Sequence, residues 1–182
     1  MKSFIGAIII VLSLGFMAKP VMAQNLAMAE ASAQQYFLVD VPDPRVSKLE
    51  AYLETHNSPL SKEADYFVSE ADRLGLDWKL VVAIAGVEST FGKFVPRNSY
   101  NGWGWAIYTG QSDGRHFSDW KEGITVVSEG LKYKYIDRGA TTIEQIGRIY
   151  AASPAWSSKV RFFLQKIDDF EPIRVEHLTV TI

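Results

Sequence analysis

The sequence predicts a mainly α-helical single domain with a small irregular β-hairpin region lining a cleft. Through most of residues 43–170, apolar side chains recur at helical spacing between capping residues, glycines and prolines that mark the ends. That periodicity disappears from Gly92 to His116, where Gly102, Gly104, Gly110 and Gly114 are interspersed with Tyr100, Trp103, Trp105 and Tyr108. The length of 182 residues, 47% hydrophobic and 13% aromatic, supports one real core and not two comfortable ones.

The elements follow in chain order. Residues 1–23 read as a secretory signal, either cleaved or kept as an anchor: Lys2 is the positive start, Phe4 to Met17 the apolar stretch, and Val21-Met22-Ala23 a small-residue cleavage site. Residues 24–42 form an Ala/Gln-rich flexible leader. Asp43-Pro44 supplies an N-cap with Pro at the first helical position, and Val46, Leu49 and Leu53 carry that helix to about Thr55. A second helix opens at Ser61, with Ala64, Phe67, Val68, Ala71 and Leu74 on one face before Gly75. Asp77 caps a third, apolar nearly all round and therefore central. A fourth starts at Ser118 or Asp119, places Trp120, Ile124, Val127, Leu131 and Tyr135 on one face, and stops at Arg138-Gly139. Thr141 and Glu144 have capping-box spacing for a fifth, which Ser153-Pro154 breaks. A sixth begins near Ser157, with Val160, Phe163, Leu164 and Ile167 inward, and residues 171–182 form a mildly strand-like tail.

Composition excludes several functions. Removing Lys2 and Lys19 with the signal leaves 17 basic against 21 acidic residues, a net charge of −4, so no basic stripe for nucleic acid exists. The absence of cysteine removes disulfides, thiolate catalysis and cysteine metal sites. His56, His116 and His177 lie far apart and read as surface or loop histidines. The expectation is no metal, no cofactor, no nucleic-acid partner, no membrane span once the signal is cleaved, and a monomer.

Glu88 is the residue that points to chemistry. It follows the apolar run Leu80–Val87 and precedes Ser89-Thr90-Phe91-Gly92. Apolar neighbours and the negative end of the helix dipole both disfavour its charged form. A carboxylic acid kept protonated near neutral pH is what a glycosidase needs as general acid. A hydrolase also needs a second carboxylate; Asp113 is the candidate, while Asp119 and Glu122 read better as cap and first-turn acid of their helix. Trp103 and Trp105 read as a sugar-stacking surface or core, Asn101 as a turn residue or a ligand, and Ser89 as a helix-end hydroxyl or a positioner of Glu88 and substrate.

Val87-Glu88-Ser89-Thr90-Phe91-Gly92 resembles the E-S-x-F signature of lytic transglycosylases and goose-type lysozymes. Asn101-Gly102-Trp103-Gly104-Trp105 is similar to the N-x-F-G segment of bacterial endo-β-N-acetylglucosaminidases, and Phe117–Ile124 to the aromatic-plus-helix element after it. Tyr150, before Ala151-Ala152-Ser153-Pro154, resembles the late cleft tyrosine of the superfamily. These matches span residues 60–168. The resemblance implies a lysozyme-like domain, exported to the periplasm or cell wall, that cleaves β-1,4 bonds of peptidoglycan glycan strands. It implies catalytic roles for Glu88 and Tyr150 and a glycan cleft that includes Ser89, Tyr100, Asn101, Trp103 and Trp105. Lytic transglycosylase and endo-β-N-acetylglucosaminidase chemistry both remain open, as do a wall-binding module without catalysis and a structural envelope protein.

Overall fold

The structure, a computed structural model, describes residues 43–106 and 114–172. The signal, the leader, Asp113 and the tail beyond Pro172 lie outside the described residues. The described part is mainly helical, with six α-helices: α1 Pro44–Thr55, α2 Ala64–Leu74, α3 Leu80–Ser89, α4 Trp120–Gly130, α5 Ile143–Tyr150 and α6 Trp156–Asp168. A 3-10 turn, Ser61–Glu63, leads into α2, and α4 runs on through a π-helical turn, Leu131–Tyr135, and a 3-10 turn, Ile136–Arg138. None of these helices is long and apolar enough to cross a membrane.

Local chemistry explains most boundaries. Asp43 accepts the Arg45 backbone N–H at 2.8 Å with Pro44 at the first helical position, as expected. Asp77 bonds the Lys79 N–H at 3.0 Å, but regular helix begins only at Leu80, so Asp77 serves the turn before α3. The capping box of α5 sits one residue later than the spacing of Thr141 and Glu144 implies. Thr142 Oγ1 accepts the Gln145 N–H at 3.2 Å, and Gln145 Oε1 accepts the Thr142 N–H at 2.9 Å. Glu144 is thereby free to pair with Arg161 of α6 through two bonds of 2.6 Å.

Helix α3 is the centre of the core. Every residue from Leu80 to Gly86 is buried, in keeping with a helix apolar all round. It packs against α6, and α2 packs against α4. Its C-terminal end turns sharply: Thr90, Phe91 and Gly92 are consecutive left-handed residues with φ of 53°, 57° and 79°. A β-branched residue in that region is strained, so the surroundings must hold it there. The Phe91 N–H bonds Ala85 O at 3.0 Å, Ser58 Oγ donates to Phe91 O at 2.8 Å, and the Phe91 ring is fully buried. His56 belongs to the same corner. It lies in the turn after α1, a loop position, half-buried between Tyr52 and Phe91 with ring centroids 4.8 and 4.7 Å away.

The expected β-hairpin region contains no strand among the described residues. Positive φ at Asn98, Tyr100, Gly104 and Ala106 interrupts the extended backbone that a ladder needs. A side chain replaces the ladder. Asn101 Nδ2 donates to Trp105 O and Arg115 O, each at 2.9 Å, and Oδ1 accepts the Trp105 N–H at 2.9 Å. Backbone bonds from Arg115 N to Trp105 O and Phe117 N to Ser99 O close the loop.

Replacing Thr90 by Gly removes the left-handed penalty, of roughly 1–3 kcal/mol, and adds about 0.5–1 kcal/mol of unfolded-chain entropy. Thr90→Gly is therefore expected to stabilise the protein by about 1 kcal/mol, read as a Tm rise of roughly 2–4 °C in thermal unfolding. An unchanged or lower Tm would show that the Thr90 side chain contributes something the backbone does not reveal.

Candidate active site

Glu88 lies in the last turn of α3 and is exposed by surface area, while the protein atoms around its carboxyl group still desolvate it in part. Desolvation raises its pKa above the ordinary 4.5, opposed by a hydrogen bond from Trp156 and the positive charge of Lys159. The bond is direct: Trp156 Nε1 donates to Glu88 Oε1 at 2.7 Å. Trp156 is the first residue of α6 and is 3% exposed. Its indole stacks on the Tyr150 ring, with centroids 4.9 Å apart and planes at 25°. The Tyr150 hydroxyl donates to Trp103 O at 2.6 Å. Burial, then the Glu88 charge, then Tyr135, holds that hydroxyl well above its usual pKa, so it stays protonated. Part of the ring reaches solvent while the hydroxyl is enclosed.

Beyond Tyr150 lies a cavity of about 320 Å³ lined by Gly104, Trp105, Ala106, Lys134, Tyr135, Ile149 and Tyr150. This is within the roughly 300–1,000 Å³ of small-molecule sites. Trp105 and Tyr135 stand 6.0 and 6.1 Å from Tyr150, forming an aromatic wall. Glu88 does not line this cavity; Tyr150 is the residue common to the pocket and the acid's surroundings. Two local features shape the wall. The π-helical turn after α4 changes the register that carries Lys134 and Tyr135. Gly130 gives the Trp105 indole its seat, because a Cβ there would collide with the six-membered ring.

The expected site residues divide. Glu88, Tyr150 and Trp105 gather around this region. Trp103 does not form a stacking surface: it is 0% exposed, donates from Nε1 to Val81 O at 2.9 Å, and packs against Phe67, Phe117 and Trp120. Only its carbonyl reaches the site. Asn101 is buried and its amide is taken up by the loop, so it acts as a clamp with no donor left for a ligand. Ser89 is buried too: its single O–H donates to Gly102 O at 2.7 Å, with Ala85 O as a second acceptor at 3.1 Å, and its oxygen accepts the Gly92 N–H at 2.8 Å. It ties α3 to the loop. Tyr100 is half-buried, edge-on to Trp120 at 5.3 Å. Asp119 caps α4 by accepting the Glu122 N–H at 2.8 Å. Glu122 accepts the Ser118 N–H at 2.6 Å and pairs with Arg115, which lowers its pKa. Both are cap acids, as their positions imply.

Sequence reasoning did not find Trp156, Tyr135 or Lys134. Trp156 carried one usable signal, since a tryptophan that opens a helix and is buried needs an acceptor for its N–H. Among the described residues, no group of three or more His, Asp or Glu side chains could hold a metal ion. No protein-family model matches the sequence, and no curated protein matches it.

A raised carboxyl pKa makes the native state bind its proton more tightly than the unfolded chain does. The associated stability is present below the ordinary value of 4.5 and is lost as pH rises through the folded value. Glu88→Gln cannot ionise and keeps an acceptor for Trp156. Its Tm is expected to match wild type near about pH 4, to gain on it as pH rises from 4.5 through the folded value, and to keep a constant lead from there to about pH 8. Thermal scans across that range check it, and a gap that is flat or reversed contradicts the assignment.

Proposed function

We propose that the protein is an exported peptidoglycan glycosidase with a lysozyme-like helical domain, in which Glu88 is the general acid and then the base. The observation that carries this reading is the desolvated Glu88 carboxyl, held by the Trp156 indole at 2.7 Å beside an aromatic pocket. Trp105, Tyr135 and Tyr150 offer flat apolar faces of the kind on which sugar rings stack. The sequence resemblance of Val87–Gly92 and of Tyr150 points the same way.

In the reaction, Glu88 gives its proton to the glycosidic oxygen as the C1–O bond breaks and positive charge develops on the sugar. The resulting carboxylate then takes a proton from the attacking hydroxyl. In the single-acid version that hydroxyl is the sugar's own 6-OH, which yields a 1,6-anhydro product. In hydrolysis it belongs to water, and a second carboxylate takes part. Asp119 and Glu122 are committed to the cap of α4, and the charged side chain that weighs on Glu88 is the cation Lys159. These observations favour the transglycosylase version, with Asp113 as the carboxylate that hydrolysis would call on.

Digestion of purified peptidoglycan by residues 24–182, followed by mass spectrometry, is expected to give anhydro-muramyl ends. Glu88→Gln should cut turnover by roughly 100-fold or more, the scale of a lost general acid, while Asp113→Asn stays near wild type. Reducing ends, together with loss of activity in Asp113→Asn, would establish hydrolysis instead. Saturable glycan binding without products would leave a wall-binding module and end the catalytic reading.

The seat of Trp105 on Gly130 gives a separate test of the pocket. Gly130→Ala should displace the indole and raise KM several-fold more than it lowers kcat, because the change falls on ground-state binding. Steady-state kinetics on soluble glycan fragments would show it.

A further inference from the structure

We propose that Trp156 is a positioning residue for Glu88, holding Oε1 with its indole N–H and thereby assigning the transferable proton to Oε2. The inference rests on the reading of Glu88 as an acid, and its geometry is independent of the substrate.

An indole nitrogen donates and cannot accept. The oxygen it binds must present a lone pair, and the carbonyl oxygen of a protonated acid and either oxygen of a carboxylate accept more strongly than the acid's hydroxyl oxygen. With Trp156 Nε1 at 2.7 Å from Oε1, the neutral acid carries its hydrogen on Oε2, the oxygen not held by the indole. The same N–H bond persists after the proton leaves. It then becomes charge-assisted and stronger, so it stabilises the carboxylate as that charge develops.

Such a role needs an indole that cannot move. Trp156 is 3% exposed, stacked on Tyr150 at 4.9 Å, and seated against Gly147, where an added Cβ would meet the six-membered ring at 3.0 Å. Its backbone N–H bonds Ser153 O at 3.1 Å, which fixes the start of α6. Tyr150 is held in turn by its 2.6 Å bond to Trp103 O. The dependence is mutual, since a buried indole N–H without an acceptor is costly and Glu88 supplies that acceptor.

The other groups facing Glu88 are known by type. Lys159 of α6 stabilises the carboxylate from an exposed position, while Tyr150 of α5 and Tyr135 beyond it remain neutral phenols. Trp156 is thus the neutral donor that opposes desolvation, and deleting it leaves Lys159 as the remaining influence favouring charge.

Trp156→Phe keeps an aromatic ring in the stack and removes the donor. It is expected to lower kcat roughly ten- to hundredfold with KM within about twofold. The alkaline limb of kcat/KM should move to higher pH by about half a unit or more, because the protonated acid is favoured. A loss of packing alone would change Tm and the height of the profile and leave the limb in place. An unmoved limb with kcat near wild type overturns the proposal.

A second measurement needs neither turnover nor a core substitution. The indole N–H resonance of Trp156, followed by NMR, should titrate with the Glu88 carboxyl in wild type and lose that titration in Glu88→Gln. A resonance that stays still, or titrates alike in both proteins, overturns the proposal. If glycan is not cleaved yet the resonance titrates with Glu88, the catalytic reading fails while the Trp156–Glu88 assignment stands.

Discussion

The Ser89 hydroxyl is the constraint on which the site depends. A helix apolar all round has to end inside its own core, where free carbonyls and N–H groups have no water to meet. Ser89 resolves this with one buried oxygen that bonds Ala85 O, Gly102 O and the Gly92 N–H. The chain then leaves through three left-handed residues, and the Phe91 ring turns back under the helix. Glu88 is the neighbour of that anchor. With Ser89 held inward, residue 88 points towards the edge of the domain, and the loop drawn in by Gly102 brings Trp103 and Trp105 alongside.

A chain of groups then connects the acid to the pocket. Glu88 bonds the Trp156 indole, Trp156 stacks on Tyr150, and the Tyr150 hydroxyl ends on the Trp103 carbonyl. Each link has a distinct physical character: a hydrogen bond that becomes charge-assisted when Glu88 ionises, a ring contact and a neutral hydrogen bond. The first link enters the balance that shifts the Glu88 pKa. Crowding favours the neutral acid, and the indole with Lys159 favours the charged one. Desolvation leads, so the carboxyl keeps its proton to higher pH than an ordinary glutamate, and the opposing donors limit that rise so that the proton can still be given up.

Much of the scaffold was legible in the sequence, because helix periodicity and capping are local. Asp43-Pro44, Gly75, Gly139 and Ser153-Pro154 mark ends that depend on a few neighbouring residues. The site was legible in part. Glu88 stood out because a carboxyl after eight apolar residues is anomalous under any fold. Trp103 and Trp105 could not be told apart, since both lie in the same aperiodic stretch. One is buried because its N–H reaches Val81 O, and the other is seated outward on Gly130, a contact across 25 residues of chain. Asn101 misled for a similar reason. Its amide satisfies Trp105 and Arg115 instead of a ligand, and partners up to 14 residues away are invisible to a turn rule. The π-helical turn defeats periodicity outright, because it changes the register from which the face of Tyr135 is read.

The same contrast explains how the candidate chemistry relates to rigidity. Residues that would touch a ligand, Trp105, Tyr135 and Lys134, come from a loop and from the non-ideal end of α4, where geometry departs from regular helix. Glu88 and Trp156 come instead from the last turn of α3 and the first of α6, two helices packed against each other in the core. A proton donor works only if its oxygen is held within a fraction of an ångström, whereas stacking faces tolerate adjustment. Assigning the acid to packed helix ends and the binding wall to irregular backbone meets both requirements in one small domain. It also follows from the first constraint: where a buried helix must end, its last polar side chain inherits the rigidity of the core.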